Sequence, residues 1–368
     1  MPLVVRAAES HDLEGLMALA LQTGGGMTTL KPDRDKLSAR LDIACASFAS
    51  AIAPAQRDYV FVMEDVSQNR IVGVCAIKAA VGLDDSFYNY RIGTMVHSSK
   101  ALNVYSRMET LTLGSDLTGS AELCSLYLDP AYRHGDNGRL LSKSRMLFIA
   151  QFPHFFPDRL IAELRGFQRN DGTSPFWDSL GQHFFKMGFD RADGLSSQDK
   201  KSFIAELMPR YPLYIALLPQ EAQDVIGKVH AASAPARRML EQEGMHFEGY
   251  LDIFDAGPVL QARGRELRSV RESMLAQATL QSCLHPHPPN AEQAGFNGAP
   301  ATATAMLISN TLLSRFRVTA GPAVLVHNPA RASLSMVSDQ LALLECGQGD
   351  TVRCVALQGK FTPSRSGI

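Results

Sequence analysis

Glu122-Leu123-Cys124-Ser125-Leu126-Tyr127-Leu128, continued by Asp129-Pro130-Ala131-Tyr132-Arg133-His134-Gly135-Asp136-Asn137-Gly138-Arg139-Leu140-Leu141, is the stretch whose reading decides the fold. Its first part is a short, mostly apolar run with the composition of a strand. Asp129-Pro130 ends it, and a helical pattern then runs from about Asn137 to Phe152. A strand, a polar turn with glycine and a helix together present unpaired backbone N–H groups at a helix N-terminus. Flanked by Arg133 and Arg139, such a turn is suited to a pyrophosphate.

The chain around this unit alternates helices and strands. Before it come a strand at Leu3–Arg6, a helix with Leu13, Leu16, Met17 and Ala20 on one face, and a second with Leu37, Leu41, Ala44 and Phe48. Tyr59–Met63 and Ile71–Ile77 read as a hairpin across a polar connection. After it, Leu160–Leu164 is a strand and Pro175–Met187 a helix. Met187-Gly188-Phe189 and Gly244-Met245-His246-Phe247 echo one another, as a diverged internal duplication would make them. The class is mixed α/β (α+β). The expected units are 1–209 with the glycine turn, 210–282, a Pro-, Ala-, Asn- and Gly-rich linker at 283–303, and a small β-rich appendage at 304–368.

Length and composition narrow the function. A chain of 368 residues suggests about two domains. Its 36 basic and 37 acidic residues argue against nucleic acid. No apolar run is long enough to span a membrane and no leader pattern opens the chain, so a soluble cytoplasmic protein is expected. Six scattered cysteines without a Cys-x-x-Cys give no disulfide framework and no metal site. The nucleophile elbow, the P-loop, the dinucleotide fingerprint and His-Glu-x-x-His are all missing. Thr23-Gly24-Gly25-Gly26 reads as a helix end, and His285-Pro286-His287 as part of the linker.

Arg133-x-x-Asp136-x-Gly138 resembles the acyl-CoA motif of GCN5-related N-acetyltransferases, Arg/Gln-x-x-Gly-x-Gly/Ala, with Asp136 in place of the first glycine. Longer blocks resemble the arginine N-succinyltransferase family: Phe87–Thr94, His97–Lys100, Leu102–Tyr105, Leu141–Arg145, Ser174–Trp177, Phe203–Pro209, Val225–His230 and Tyr250–Pro258. The resemblance implies mixed sheets flanked by helices, with two acyltransferase-like halves in tandem. It also implies transfer of succinyl from succinyl-CoA, a co-substrate rather than a tightly bound cofactor, to the α-amine of L-arginine.

By that resemblance His230 is the proton donor and Leu126 an acyl-CoA contact, joined on that side by Tyr127, Arg133, Asn137, Gly138 and Arg139. His97, Asn103 and Tyr105 are candidates for the substrate loop; Glu122 and Glu163 are either structural carboxylates or a base or guanidinium ligand. Taken alone, His230 is equally a hydrogen-bonded histidine ending an apolar helix. Three readings stay open: the arginine enzyme, an ornithine-preferring or dual-specificity subunit, and a non-catalytic CoA-binding partner. A homo-oligomer or a hetero-oligomer with a similar chain is expected.

Overall fold

The computed structural model describes residues 2–23, 27, 29–196, 202–281, 303–326 and 332–359. Strands β1 (Leu3–Ala7), β2 (Asp58–Asp65) and β3 (Arg70–Lys78) run antiparallel, with α1 (Leu13–Gln22) and α2 (Arg34–Phe48) between β1 and β2. β2 is buried on both faces because its two sets of alternating side chains serve two cores. Tyr59, Phe61 and Met63 join one core; Val60 and Val62 join another with Leu16, Leu19, Leu37 and Leu41. Asp33 caps α2 by accepting from the Lys36 amide at 3.2 Å, satisfying one donor of the first turn.

β4 (Asn89–Ser99) and β5 (Val104–Gly114) form a long hairpin, and β6 (Ala121–Leu128) returns to pair antiparallel with β3. α3 (Asn137–Gln151) follows, then β7 (Arg159–Glu163), parallel to β6. Every residue of α3 from Leu140 to Ile149 is buried, Lys143 and Arg145 included, so this helix lies inside the molecule. Beneath it Phe48, Tyr59, Phe61, Phe148 and Phe316 pack edge to face.

β8 (Leu213–Tyr214), β9 (His246–Leu251) and β10 (Pro258–Arg263) extend the same sheet, β10 covering the free side of β7. β11 (Met274–Leu280), β12 (Thr304–Ser309), β13 (Arg317–Val326), β14 (Ser333–Met336) and β15 (Thr351–Ala356) pair in a closed ring, β12 meeting both β13 and β15. Met306, Ile308, Leu334, Met336 and Val352 fill it. β11 lies on the N-terminal side of the boundary expected at 282, yet pairs with β14 and β15. β13 also pairs with β1, which joins the ring to the main sheet.

Within the β-rich appendage, β13 runs unbroken because pairing with β12 continues through Gly321 and Pro322. His327 and nearly all of the expected linker at 283–303 lie outside the described residues, as do Gly24–Gly26 and Cys283. The helix expected at Pro175–Met187 is two short helices, Pro175–Ser179 and Gly181–Phe185, broken at Leu180. No helix among the described residues is long and apolar enough to cross a membrane.

Candidate active site

β6 and β7 pair only at Ala121↔Leu160 and Glu122↔Ile161, then part. Two parallel strands that diverge leave a crevice beyond their carboxyl ends, where strand edges lose their partners. The β6 wall carries a bulge: Ser125 and Leu126 face the single residue Cys75 of β3, and Ser125 has φ of 54°. A non-glycine residue in this region needs support. Arg40 of α2 supplies it, donating to Ser125 Oγ at 2.9 Å, to the Thr29 carbonyl at 2.6 Å and to Asp58 at 2.8 Å. Arg145 of α3 reaches the Cys124 carbonyl at 3.4 Å. Leu126 and Tyr127, half-buried, therefore lie on a held segment of β6 past the point where β7 has left it.

The turn that follows is held just as closely. Asp129 accepts from the Ala131 amide at 2.9 Å and pairs with Arg70; the Tyr132 hydroxyl donates to Asp65 at 2.9 Å. Asn137 directs its side-chain amide to the Tyr132 carbonyl at 3.0 Å, so it ties the helix to the turn. The amides of Gly135, Asp136, Gly138 and Arg139 find no acceptor among the described residues. Gly135 has φ of 56°, and a Cβ on Gly135 or Gly138 would meet nothing within 4 Å. These four donors thus open outward, with the positive end of α3 behind them. Arg133 is exposed, donates through Nε to the Leu128 carbonyl at 2.8 Å and lies 5.2 Å from the Tyr127 ring centre. Asp136 pairs with Arg139, so the acid at the altered motif position is neutralised and Arg133 keeps the uncompensated charge.

The opposite wall begins where β7 ends. Gly166 forms an antiparallel bridge with Val229, and the His230 amide donates to the Arg165 carbonyl at 2.9 Å. His230 does not end an apolar helix: it follows this bridge and opens the turn Ala231–Ser233, just ahead of the helix Ala234–Glu243. Its Nδ1 accepts from the Ala232 amide at 3.1 Å. The neutral ring therefore carries its proton on Nε2. Burial and then the charge of Arg165 lower its pKa from the ordinary histidine value.

His97, Asn103 and Tyr105 all lie on the β4–β5 hairpin. His97 meets the Tyr214 hydroxyl at 3.0 Å, Asn103 sits in the connecting turn with φ of 49°, and Tyr105 is exposed. Glu163 accepts from Asn89, and Glu122 is buried opposite Lys78, whose ammonium it helps keep charged. Sequence reasoning missed Arg40 and Ser125, whose roles depend on a bulge, and Asp255, whose carboxylate accepts from the Gly166 amide at 2.7 Å. The resembling block Tyr250–Pro258 covers that last place without giving Asp255 a task.

Comparison with known proteins adds to this geometry. Residues 3–269 match the family model described as arginine N-succinyltransferase beta subunit, and 296–356 match the model of its C-terminal domain. The chain is 45% identical over 356 residues to the arginine N-succinyltransferase of Enterobacter sp. (strain 638), spanning 96% of this chain and 98% of that protein. It is 45% identical over 358 residues to the same-named protein of Escherichia coli (strain K12 / DH10B), with 96% and 98% covered. Among solved structures, arginine/ornithine succinyltransferase subunit AI from Pseudomonas aeruginosa superposes with a TM-score of 0.83 at 30% identity, covering 97% of this chain and 99% of that one.

Proposed function

The chain belongs to the arginine N-succinyltransferase family, and from that premise we propose that it moves succinyl from succinyl-CoA to the α-amino group of L-arginine. The products are N2-succinyl-L-arginine and CoA. The observation that carries this reading is the parting of β6 and β7 with a cradle of free amides on one wall and His230 on the other.

The pyrophosphate of the donor sits on the amides of Gly135, Asp136, Gly138 and Arg139, with Arg133 adding a full charge. Past the bulge, the amides of Leu126 and Tyr127 meet the thioester arm, and a donor there stabilises the oxyanion as the carbonyl turns tetrahedral. The guanidinium of arginine stays protonated and has no free lone pair, so the α-amine, once deprotonated, is the nucleophile. Its attack forms the C–N bond; collapse of the intermediate breaks the C–S bond and releases thiolate. The proton lost by nitrogen ends on sulfur. His230, with hydrogen on Nε2, is suited to donate a hydrogen bond to that departing thiolate. Holding amine and thioester side by side supplies much of the rate.

Release of free thiol from succinyl-CoA, measured with arginine and with ornithine, tests the reading. Turnover with arginine supports it; preference for ornithine moves the acceptor; no turnover with either leaves a CoA-binding partner. The Pseudomonas relative carries the word subunit in its name, which supports assembly with a second copy or a similar chain. Light scattering on the purified protein measures that directly. A cytoplasmic setting, where succinyl-CoA is made, completes the proposal.

A further inference from the structure

Asp255 is buried, and its carboxylate accepts from two backbone amides, Gly166 at 2.7 Å and Gly257 at 2.9 Å. Burial and then the neighbouring Asp252 push its pKa well above the ordinary carboxyl value, against which the two amides act. Gly166 lies three residues past β7, 89 positions from Asp255, and is the residue that bridges to Val229. The same turn holds the histidine segment from the other side: the Gly227 amide donates to the Ala256 carbonyl at 3.0 Å, with Ala256 at φ of 55°. The packing admits no side chain at the junction. A Cβ on Gly166 would lie 2.5 Å from the Asp255 carbonyl oxygen, and one on Gly257 2.0 Å from that of Leu164.

We infer that Asp255 is a positioning residue for the transfer: it clamps the end of β7 through Gly166 and thereby fixes His230 against the cleft. The path is short: two hydrogen bonds joined through the Arg165–Gly166 peptide link. Asp255 holds the Gly166 amide, Gly166 bridges Val229, and the Arg165 carbonyl receives the His230 amide. The β6 wall, with its amide cradle, is anchored independently by Arg40 and Arg145. Loss of Asp255 therefore shifts the histidine and spares the phosphate cradle. The inference rests on the role given to His230 above.

The test uses the full chain with Asp255→Ala and Asp255→Asn, each in the native and the His230→Ala background. Asp255→Ala is expected to lower kcat by about tenfold or more while KM for succinyl-CoA stays within about twofold. Asp255→Asn, which keeps one accepting oxygen, is expected to fall between and to stay folded if the alanine variant does not. In the His230→Ala background the further loss is expected to be under about twofold, because both changes act through one group. By NMR, the His230 ring is expected to titrate closer to the ordinary value of about 6.5 once freed from burial and from Arg165. An equal loss of kcat in both backgrounds, a raised KM with unchanged kcat, or an unmoved His230 titration overturns the inference. Full activity in His230→Ala instead overturns the reading of His230, and the titration still decides whether Asp255 positions the ring.

Discussion

The two walls of the cleft are built by opposite strategies. The β6 wall and its cradle come from one unbroken stretch, Ala121 to Leu141, in which strand, turn and helix follow each other without insertion. The β7 wall is assembled from the end of β7, the turn after β9 and the segment before Ala231, brought together by backbone bonds and one buried carboxylate. A phosphate needs a dense patch of donors, which one helix start supplies. The Nε2 donor proposed for the thiolate needs one ring in one orientation, and several distant segments can fix that. On this reading, binding is local in the chain, whereas the chemistry is not.

Removing a group from either wall should separate these tasks. The largest effect is expected at the β7 wall: His230→Ala should lower kcat by about a hundredfold or more and leave CoA affinity nearly intact, by steady-state kinetics and calorimetry. Activity that survives the change breaks the comparison. Next is the junction behind the walls, where Glu243 at the end of the helix after His230 pairs with Lys143 of α3 at 3.0 Å and with Arg268 at 3.3 Å. Burial opposes its charge, but Lys143 and Arg268 outweigh it and hold the carboxyl below its ordinary range. Glu243→Ala leaves two buried cations short of a partner and should cost about 3–5 kcal/mol in denaturant unfolding.

On the β6 wall, Gly138→Val should raise KM for succinyl-CoA by about tenfold with kcat less affected, since the space beside Gly138 is open and its new side chain covers the amides rather than straining the fold. On the role proposed for His230, a hydrogen-bond donor through Nε2, its neutral form is the competent one in pH profiles. Its lowered pKa places the acid limb of kcat below about 6.5, and that limb should vanish in His230→Gln. The folded ring takes its proton at lower pH than the unfolded ring, so acidification through that window also favours unfolding. The smallest effect is expected from Asp136→Asn, which frees Arg139 and should tighten succinyl-CoA by two- to threefold, more at low salt.

The same contrast explains what could be read from residues alone. The helix expected from Asn137 ends one residue short of Phe152, and the hairpin at Tyr59–Ile77 is β2 and β3, because local periodicity and turn chemistry decide both. Arg133 and Gly138 flank or form the cradle for the same reason. The β4–β5 hairpin went unread: its outer half is exposed, so its side chains need not alternate between apolar and polar. The Ser125 bulge left no mark either, since a serine at positive φ is sustained by Arg40, 85 residues away. His230 was legible only by likeness to a family, for its neighbours in space, Arg165, Gly166 and Asp255, are distant in sequence.

The closed ring of β11–β15 ties the cleft to a distant part of the chain. β1 pairs on one side with β2, but on the other it receives β13, and the Leu3 carbonyl accepts from Thr319 across 316 positions. Under α3, Lys143 and Arg268 donate to the carbonyls of Leu357 and Ala356. β1 is thus completed by a strand far along the chain, and the helix behind the proposed phosphate cradle rests on the end of β15. Removing the ring would open an edge at β1 and take two carbonyl acceptors from the buried Lys143–Glu243–Arg268 cluster beneath α3. The cleft therefore leans on the ring as well as on its own residues.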